Sequence, residues 1–308
     1  MLPVLQRLEV QRKSLALTLV GVAITILALC ASPAAIPMND EHTMILWVVG
    51  LLATVPIVMG YVMFYRWLTR KFVLTFKRRV IAAIVRYFDV GLVYTPEGSI
   101  SQDDFEASRL FRMKIDHYTG EDRVEGTLGK TAVRLSEVHA QYVTVRNKST
   151  TWRTIFYGLL FIGDFNKHFE GTTLVLPQTA ETLFGRLGEM FQSLKASRSP
   201  DLVKLEDPEF EKHFMVYGDD QVESRYILTP SLMQRIVAFR ESTGQALYLS
   251  FRHQNVYLAI SSHRDMFEPR VFRSLLDRAL IQTYVADMEM ALGIVEDLNL
   301  NTRIWTKT

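Results

Sequence analysis

Two apolar runs without a single charge constrain this chain more than any other feature. SLALTLVGVAITILALC covers Ser14–Cys30, and the uncharged stretch continues to Asn39; TMILWVVGLLATVPIVMGYVMFY covers Thr43–Tyr65. A helix rises 1.5 Å per residue, so roughly 20 residues cross a hydrocarbon layer of about 30 Å. The second run is long enough outright, and the first reaches that length by extending into ASPAAIP. Pro56 lies inside the second run, and membrane helices tolerate an internal proline better than soluble ones. The competing reading, two buried core helices, is disfavoured because charge-free runs of this length are rare in soluble domains. The pattern predicts a transmembrane hairpin over residues 1–76, with spans at about 14–36 and 43–65.

The flanking charges orient that hairpin. The loop SPAAIPMNDEH carries acids and no Lys or Arg. Arg7, Arg12 and Lys13 precede the first run, and Arg66, Arg70, Lys71, Lys77, Arg78 and Arg79 follow the second. The excess of Lys and Arg on the cytoplasmic side of membrane spans predicts both ends of the chain in the cytoplasm and the loop outside. Trp47, Tyr61, Tyr65 and Trp67 are the expected interface anchors. A cleaved signal peptide shares the basic start and apolar run. However, Leu29 stands before Cys30 where a lipoprotein signal wants a small residue, and the run is long for a signal.

Residues 1–80 carry a net charge of +6 and residues 81–308 a net of −4. The basic character therefore belongs to the membrane-proximal segment, and the mildly acidic remainder argues against nucleic acid as a partner. Cys30 is the sole cysteine, which excludes an internal disulfide and a thiolate metal cluster.

Residues 77–308 are enough to bury roughly 70% of their unfolded surface. Their pattern predicts an α+β cytoplasmic domain with a mixed antiparallel sheet and helices. KRRVIAAIVRYFD (Lys77–Asp89) reads as an amphipathic helix leaving the membrane, either with its basic face on anionic headgroups or, equally, as an ordinary connecting helix. Asp122–Val145 alternates as two strands with a turn at Gly129, and Ile155–Gly163 and Thr172–Pro177 read as two more. Helices are predicted at Asp103–Phe111, Glu181–Leu194, Asp207–Phe214 and Pro230–Glu241, the last stopped by Gly244. QALYLSF and VYLAIS read as a hairpin turning at His253–Asn255, and Pro269–Leu298 as one long amphipathic helix.

DFEASRLF followed by YTGEDRVE, and EFEKHF followed by YGDDQVE, share one pattern. It predicts two related α+β halves, 77–198 and 199–308, divided near SRSP (Ser197–Pro200).

No complete catalytic motif emerges. GTLGKT (Gly126–Thr131) resembles the end of a phosphate-binding loop, but Val124 occupies the required first glycine and a strand pattern follows. The histidines show no metal-ligand spacing, although His253 and His263 would face each other across the expected hairpin. The recurring acidic turns nominate Asp122 and Asp220, since paired carboxylates suit acid–base chemistry or hard cations. FIGDFNKHFEGTTLVLP (Phe161–Pro177) nominates Asp164, Asn166, Lys167 and His168 as a ligand or partner rim. The bland alternative for that stretch is a turn in which Phe165 and Phe169 pack one helical turn onto the sheet.

IFYGLLFIGDFNKHFEGTTLVLP, LVKLEDPEFEKHFMVYGDDQVESRYILTPSLMQRI and FEP at Phe267–Pro269 resemble an uncharacterised bacterial membrane family. Its members have two spans near the N-terminus and a domain of unknown function behind them, and are often encoded beside LemA-type membrane proteins. The resemblance covers essentially the whole chain and implies a bacterial inner-membrane protein with a membrane-protein partner of the LemA type. It implies no catalytic residue, cofactor or metal. The combined expectation is a non-enzymatic, two-pass protein in the lipid bilayer whose cytoplasmic domain binds a protein, as adaptor or scaffold. The alternative is an enzyme or small-ligand-binding domain at the membrane surface.

Overall fold

Both apolar runs fold as helices, α1 over Leu2–Ala31 and α2 over Glu41–Phe76. The structure is a computed structural model and describes residues 2–31, 41–146, 149–178, 201–262, 264–298 and 300. It divides into two units, Met1–Ala83 with Phe267–Thr283, and Ile84–Met266 with Tyr284–Thr308.

In the first unit, α1 and α2 are each long and apolar enough to cross a membrane. Leu17, Ile24, Val49, Met59 and Met63 are exposed. The Tyr61 hydroxyl donates to the Leu19 carbonyl at 3.2 Å. The polar start of α1 is tied down: Glu9 accepts from Arg12 Nε at 2.9 Å and from the Leu275 N–H at 2.9 Å, and Arg12 Nη1 donates to the Val271 carbonyl at 2.8 Å. Helix α2 passes directly into a π-helical turn, Lys77–Ile81, and then α3, Ala82–Phe88. Lys77 is fully buried and its Nζ lies 2.8 Å from a Glu268 carboxylate oxygen. Lys77 is thereby withdrawn from the expected basic face, while Arg78, Arg79 and Arg86 are exposed.

The second unit is built on an antiparallel sheet. Its strands are β1 (Val93–Thr95), β2 (His117–Leu128), β3 (Thr131–Arg146), β4 (Ser149–Pro177), β5 (Asp201–Leu202), β6 (Phe214–Gly218) and β7 (Leu247–Ser261). They order as β1-β2-β3-β4-β6-β5, with β7 paired to the other edge of β4. Helices α4 (Gln102–Ala107), α5 (Pro208–His213), α6 (Gln221–Ile227), α7 (Pro230–Thr243) and α8 (Arg278–Asp297) complete the described elements. Side chains alternate across a strand. On one face Phe105, Phe111, Phe156, Leu160, Leu174 and Tyr248 form an apolar cluster, with Phe105 and Phe111 stacked at 5.3 Å. The alternate residues Leu159, Phe161, Val175, Leu249, Leu258 and Ile260 are buried as well, so the central strands are covered on both sides.

Caps expected from the residue types are in place. Asp207 accepts from Glu209 N and Phe210 N ahead of Pro208 in α5, and Gly244 closes α7 in the left-handed conformation at φ 62°. Three expectations are corrected. Ile155–Gly163 and Thr172–Pro177 are one strand, because GDFNKHFEG continues the backbone of β4 instead of turning. QALYLSF and VYLAIS are likewise one strand, β7, because both segments find their partner in β4 and not in each other. The last helix starts at Arg278, not at Pro269. Of its expected apolar stripe, Val271 and Leu275 are buried in the irregular segment before it.

The two similar segments share a capped helix, α4 or α5, but continue differently. YTGEDRVE lies within β2, whereas YGDDQVE ends β6 and enters α6. The predicted helix at 181–194 and the boundary at 197–200 lie outside the described residues.

Candidate functional site

Strands β2 and β3 form a hairpin closed by Gly129 and Lys130, with Leu128 paired to Thr131 and Gly129 at φ 65°. GTLGKT is this turn and no phosphate loop. The register it sets holds as far as Val124 opposite Leu135, and a one-residue shift beyond it places Glu121 directly opposite Glu137. Like charges directly opposed on a sheet destabilise it. Past Glu121 the register shifts, so that two residues of β2 face one of β3, a bulge. Asp122 occupies it at φ 60°, held by its N–H to the Pro96 carbonyl at 2.9 Å and by Arg123 N–H to the Gly98 carbonyl at 3.1 Å. The bulge brings Asp122 into the pair. Glu121, Asp122 and Glu137 offer carboxylate oxygens that all lie within 4.8 Å of one another. Asp122 is buried and accepts a hydrogen bond from the Tyr94 hydroxyl.

This cluster borders a pocket of about 410 Å³ lined by Thr119, Gly120, Glu121, Glu137, Val138, His139, Tyr157 and Asp265. Strand pairing puts Tyr157 across from His139, with ring centroids 5.0 Å apart. The Tyr157 hydroxyl donates to Asp265, and His139 Nε2 lies 3.2 Å from Thr154 Oγ1. Glu137 Oε1 accepts from the Met266 N–H at 2.6 Å. Next to Tyr157, Gly158 adopts φ 151° where β7 approaches closely; a Cβ there would sit 2.1 Å from the Ile260 carbonyl oxygen.

Electrostatics follow from burial and crowding. Burial, reinforced by the charges of Asp122, Glu121 and Asp265 and opposed by the Met266 N–H, pushes the Glu137 carboxyl up to about 8. Burial and its bond to Asp265 push the Tyr157 hydroxyl up. Burial and the neighbouring His117 hold His139 down, against the pull of Asp265. At neutral pH Glu137 therefore keeps its proton until a positive group replaces it. Such a pocket suits a cation: oxygen ligands fit a hard divalent ion, and the aromatic and carboxylate walls fit an ammonium or guanidinium. A second grouping, Glu209, His213 and Glu241, has His213 Nε2 at 3.6 and 3.8 Å from exposed glutamates, a geometry that surface ion pairing accounts for.

Of the residues nominated by sequence, Asp122 alone belongs to this pocket's cluster. Asp220 caps α6, accepting from Val222 N and Glu223 N. Asp164 pairs with Asn255 on β7, and the exposed His168 lies 6.4 Å, ring to ring, from His253. Asn166 and Lys167 lie within β4, but their side chains are outside those described. Phe165 and Phe169 do pack together, at 5.4 Å, though on a strand and not on a helical turn. Glu137, His139, Tyr157 and Asp265 were not nominated. A signal for Glu137 existed: it shares the strand phase of Val133 and Leu135, both buried, and a carboxylate in an apolar phase has reason to be functional.

Fold and site together define a mixed α+β protein, with an N-terminal apolar helix and a large antiparallel sheet that carries a carboxylate pocket. Residues 154–300 match the family model "Protein of unknown function (DUF3137)", so that domain is found over this part of the chain. No curated protein matches the sequence. Among solved structures, the crystal structure of the mycobacterial trehalose monomycolate transport factor A, TtfA, is similar at 13% identity and a TM-score of 0.38, covering 75% of this chain and 97% of that one.

Proposed function

We propose that this protein is a two-pass inner-membrane binding protein whose cytoplasmic domain receives a cationic group of a protein partner in the Glu121–Glu137 pocket. The observation that carries the reading is the opposition of Glu121 and Glu137 across the β2–β3 ladder, with Asp122 brought beside them by a bulge. A fold that tolerates three crowded carboxylates loses stability to them, and a cation repays that loss on binding. The exposed apolar flanks of α1 and α2 support the bilayer as their surroundings. The basic residues beside both runs support a cytoplasmic domain. The family resemblance nominates a LemA-type membrane protein as the first partner to test.

A photo-crosslinking residue at Thr119, on the exposed pocket rim, tests this in the full-length protein in its own membrane. The expected result is one discrete adduct, reduced at least tenfold by combining Glu121→Gln with Glu137→Gln. No adduct is expected from the same residue at exposed Val222. No adduct at Thr119, or one indifferent to both substitutions, refutes a protein partner there. The pocket volume of about 410 Å³ favours a second reading, a small organic cation as ligand.

A further inference from the structure

The segment Phe267–Thr283 belongs to the same unit as α1 and α2, and it is two-sided. Val271 and Leu275 are buried, whereas the residue after each, Phe272 and Leu276, is 61% and 44% exposed. Arg270 and Arg273 stand near Phe272 in the chain, and both are exposed. Polar contacts hold the inner side at three places. Lys77 Nζ lies 2.8 Å from Glu268. Arg12 Nη1 donates to the Val271 carbonyl at 2.8 Å. Glu9 accepts from the Leu275 N–H at 2.9 Å and from the Ser274 hydroxyl at 3.2 Å. Glu9 and Arg12 are themselves buried and bonded to each other at 2.7 Å. Asp277, also exposed, accepts from Ala279 N at 3.0 Å at the start of α8.

These attachments fix a depth. The charge-free run of α1 begins at Ser14. At 1.5 Å per residue, Arg12 lies about 3 Å and Glu9 about 8 Å before that point. The headgroup layer adds roughly 5–8 Å to each side of a hydrocarbon core of about 30 Å, so both tie points fall within it. Helix α2 marks the same level. Tyr61 is bonded to Leu19; seven residues from that contact, towards the polar end of each helix, stand Arg12 on α1 and Leu68 on α2. Next to Leu68 is Trp67, 72% exposed, a residue type that collects at membrane–water interfaces.

We propose that residues 270–276 are a membrane-interface anchor that docks on anionic phospholipid headgroups, with Arg270 and Arg273 on the phosphates and Phe272 and Leu276 at the acyl boundary. The inference rests on α1 and α2 being membrane spans. Arginines interleaved with large apolar side chains are the composition that binds this layer: the guanidinium groups are drawn to anionic lipid, and the apolar groups leave water. A soluble phosphate compound offers nothing to Phe272 or Leu276, which is why lipid is the occupant. The chain thus returns to the bilayer surface after β7, far in sequence from both spans, and is pinned there through α1.

The test uses the full-length protein in nanodiscs, in a Cys30→Ser background, with a bimane fluorophore on Phe272→Cys and lipids that carry a nitroxide quencher near the headgroup. In nanodiscs containing phosphatidylglycerol the fluorophore should be strongly quenched. In phosphatidylcholine alone, or with Arg270→Glu and Arg273→Glu combined, quenching should fall at least threefold. Leu276→Cys is the second reporter, and Arg270→Gln with Arg273→Gln replaces the charge reversal if that variant does not fold. A bimane on Leu17→Cys, with the nitroxide deep in the acyl chains, reports the span separately. Quenching at Leu17 without quenching at Phe272 and Leu276, as when a second copy of the chain covers them, overturns the anchor and leaves the spans standing. Quenching at Phe272 that ignores both lipid charge and the arginine substitutions overturns it too. No quenching at Leu17 removes the membrane reading and this proposal with it.

Discussion

Glu137 ties the fold to pH. Its carboxyl titrates near 8 in the folded protein against 4.5 for an exposed glutamate. Below 4.5 both folded and unfolded states hold the proton, and the group contributes nothing. Between 4.5 and about 8 only the folded state holds it, so stability falls by about 1.4 kcal/mol per pH unit across that window. Glu137→Gln removes the titration and keeps an acceptor for the Met266 N–H. The variant is expected to match the parent near pH 4.5 and to melt higher than it at pH 8. A parallel pH dependence in both proteins, measured as melting temperature, would show that burial does not hold the proton there. On the proposed function, a bound cation would displace the Glu137 proton, so binding near pH 7 should also release a proton, seen as a buffer-dependent binding enthalpy.

At the scale of elements, what was legible in the sequence was local. Asp207, Pro208 and Gly244 announced their caps, and Gly129 its turn, since those residues act through their own backbone. The continuity of β4 and β7 was not legible, because GDFNKHFEG and His253–Asn255 have turn composition, and each is carried through as an irregularity of the ladder by the regular pairing on either side of it. The carboxylate pocket was hidden for the same reason. The β2–β3 pair could be read, but its register depends on the bulge, and Tyr157 and Asp265 arrive from distant segments. Two substitutions separate these levels. Thr229→Ala removes the α7 cap, where Thr229 accepts from Leu232 N, and should cost about 1 kcal/mol. Gly158→Ala forces β4 away from β7 at a contact shared with Tyr157, and should cost about 4 kcal/mol or more. Denaturation midpoints that rank the two the other way would contradict the assigned pairing.

For the whole molecule, the prediction concerns topology. In a Cys30→Ser background, a cysteine at Val222 should resist a membrane-impermeant maleimide in intact cells and react after lysis, while one at Asn39 should react in both. Labelling of Val222→Cys from outside would invert the proposed orientation. Strand β4 has a further consequence, in time. Its edge along 158–175 pairs with β7, and β7 leaves the ribosome some 80 residues after β4 is finished. At roughly 5–20 residues per second of synthesis that interval is on the order of 10 s. Throughout it a long apolar strand presents one unsatisfied edge, the condition under which chains pair with the wrong neighbour. Biogenesis of this protein is thus a wait for one late strand, spent in the company of whatever shields the nascent sheet.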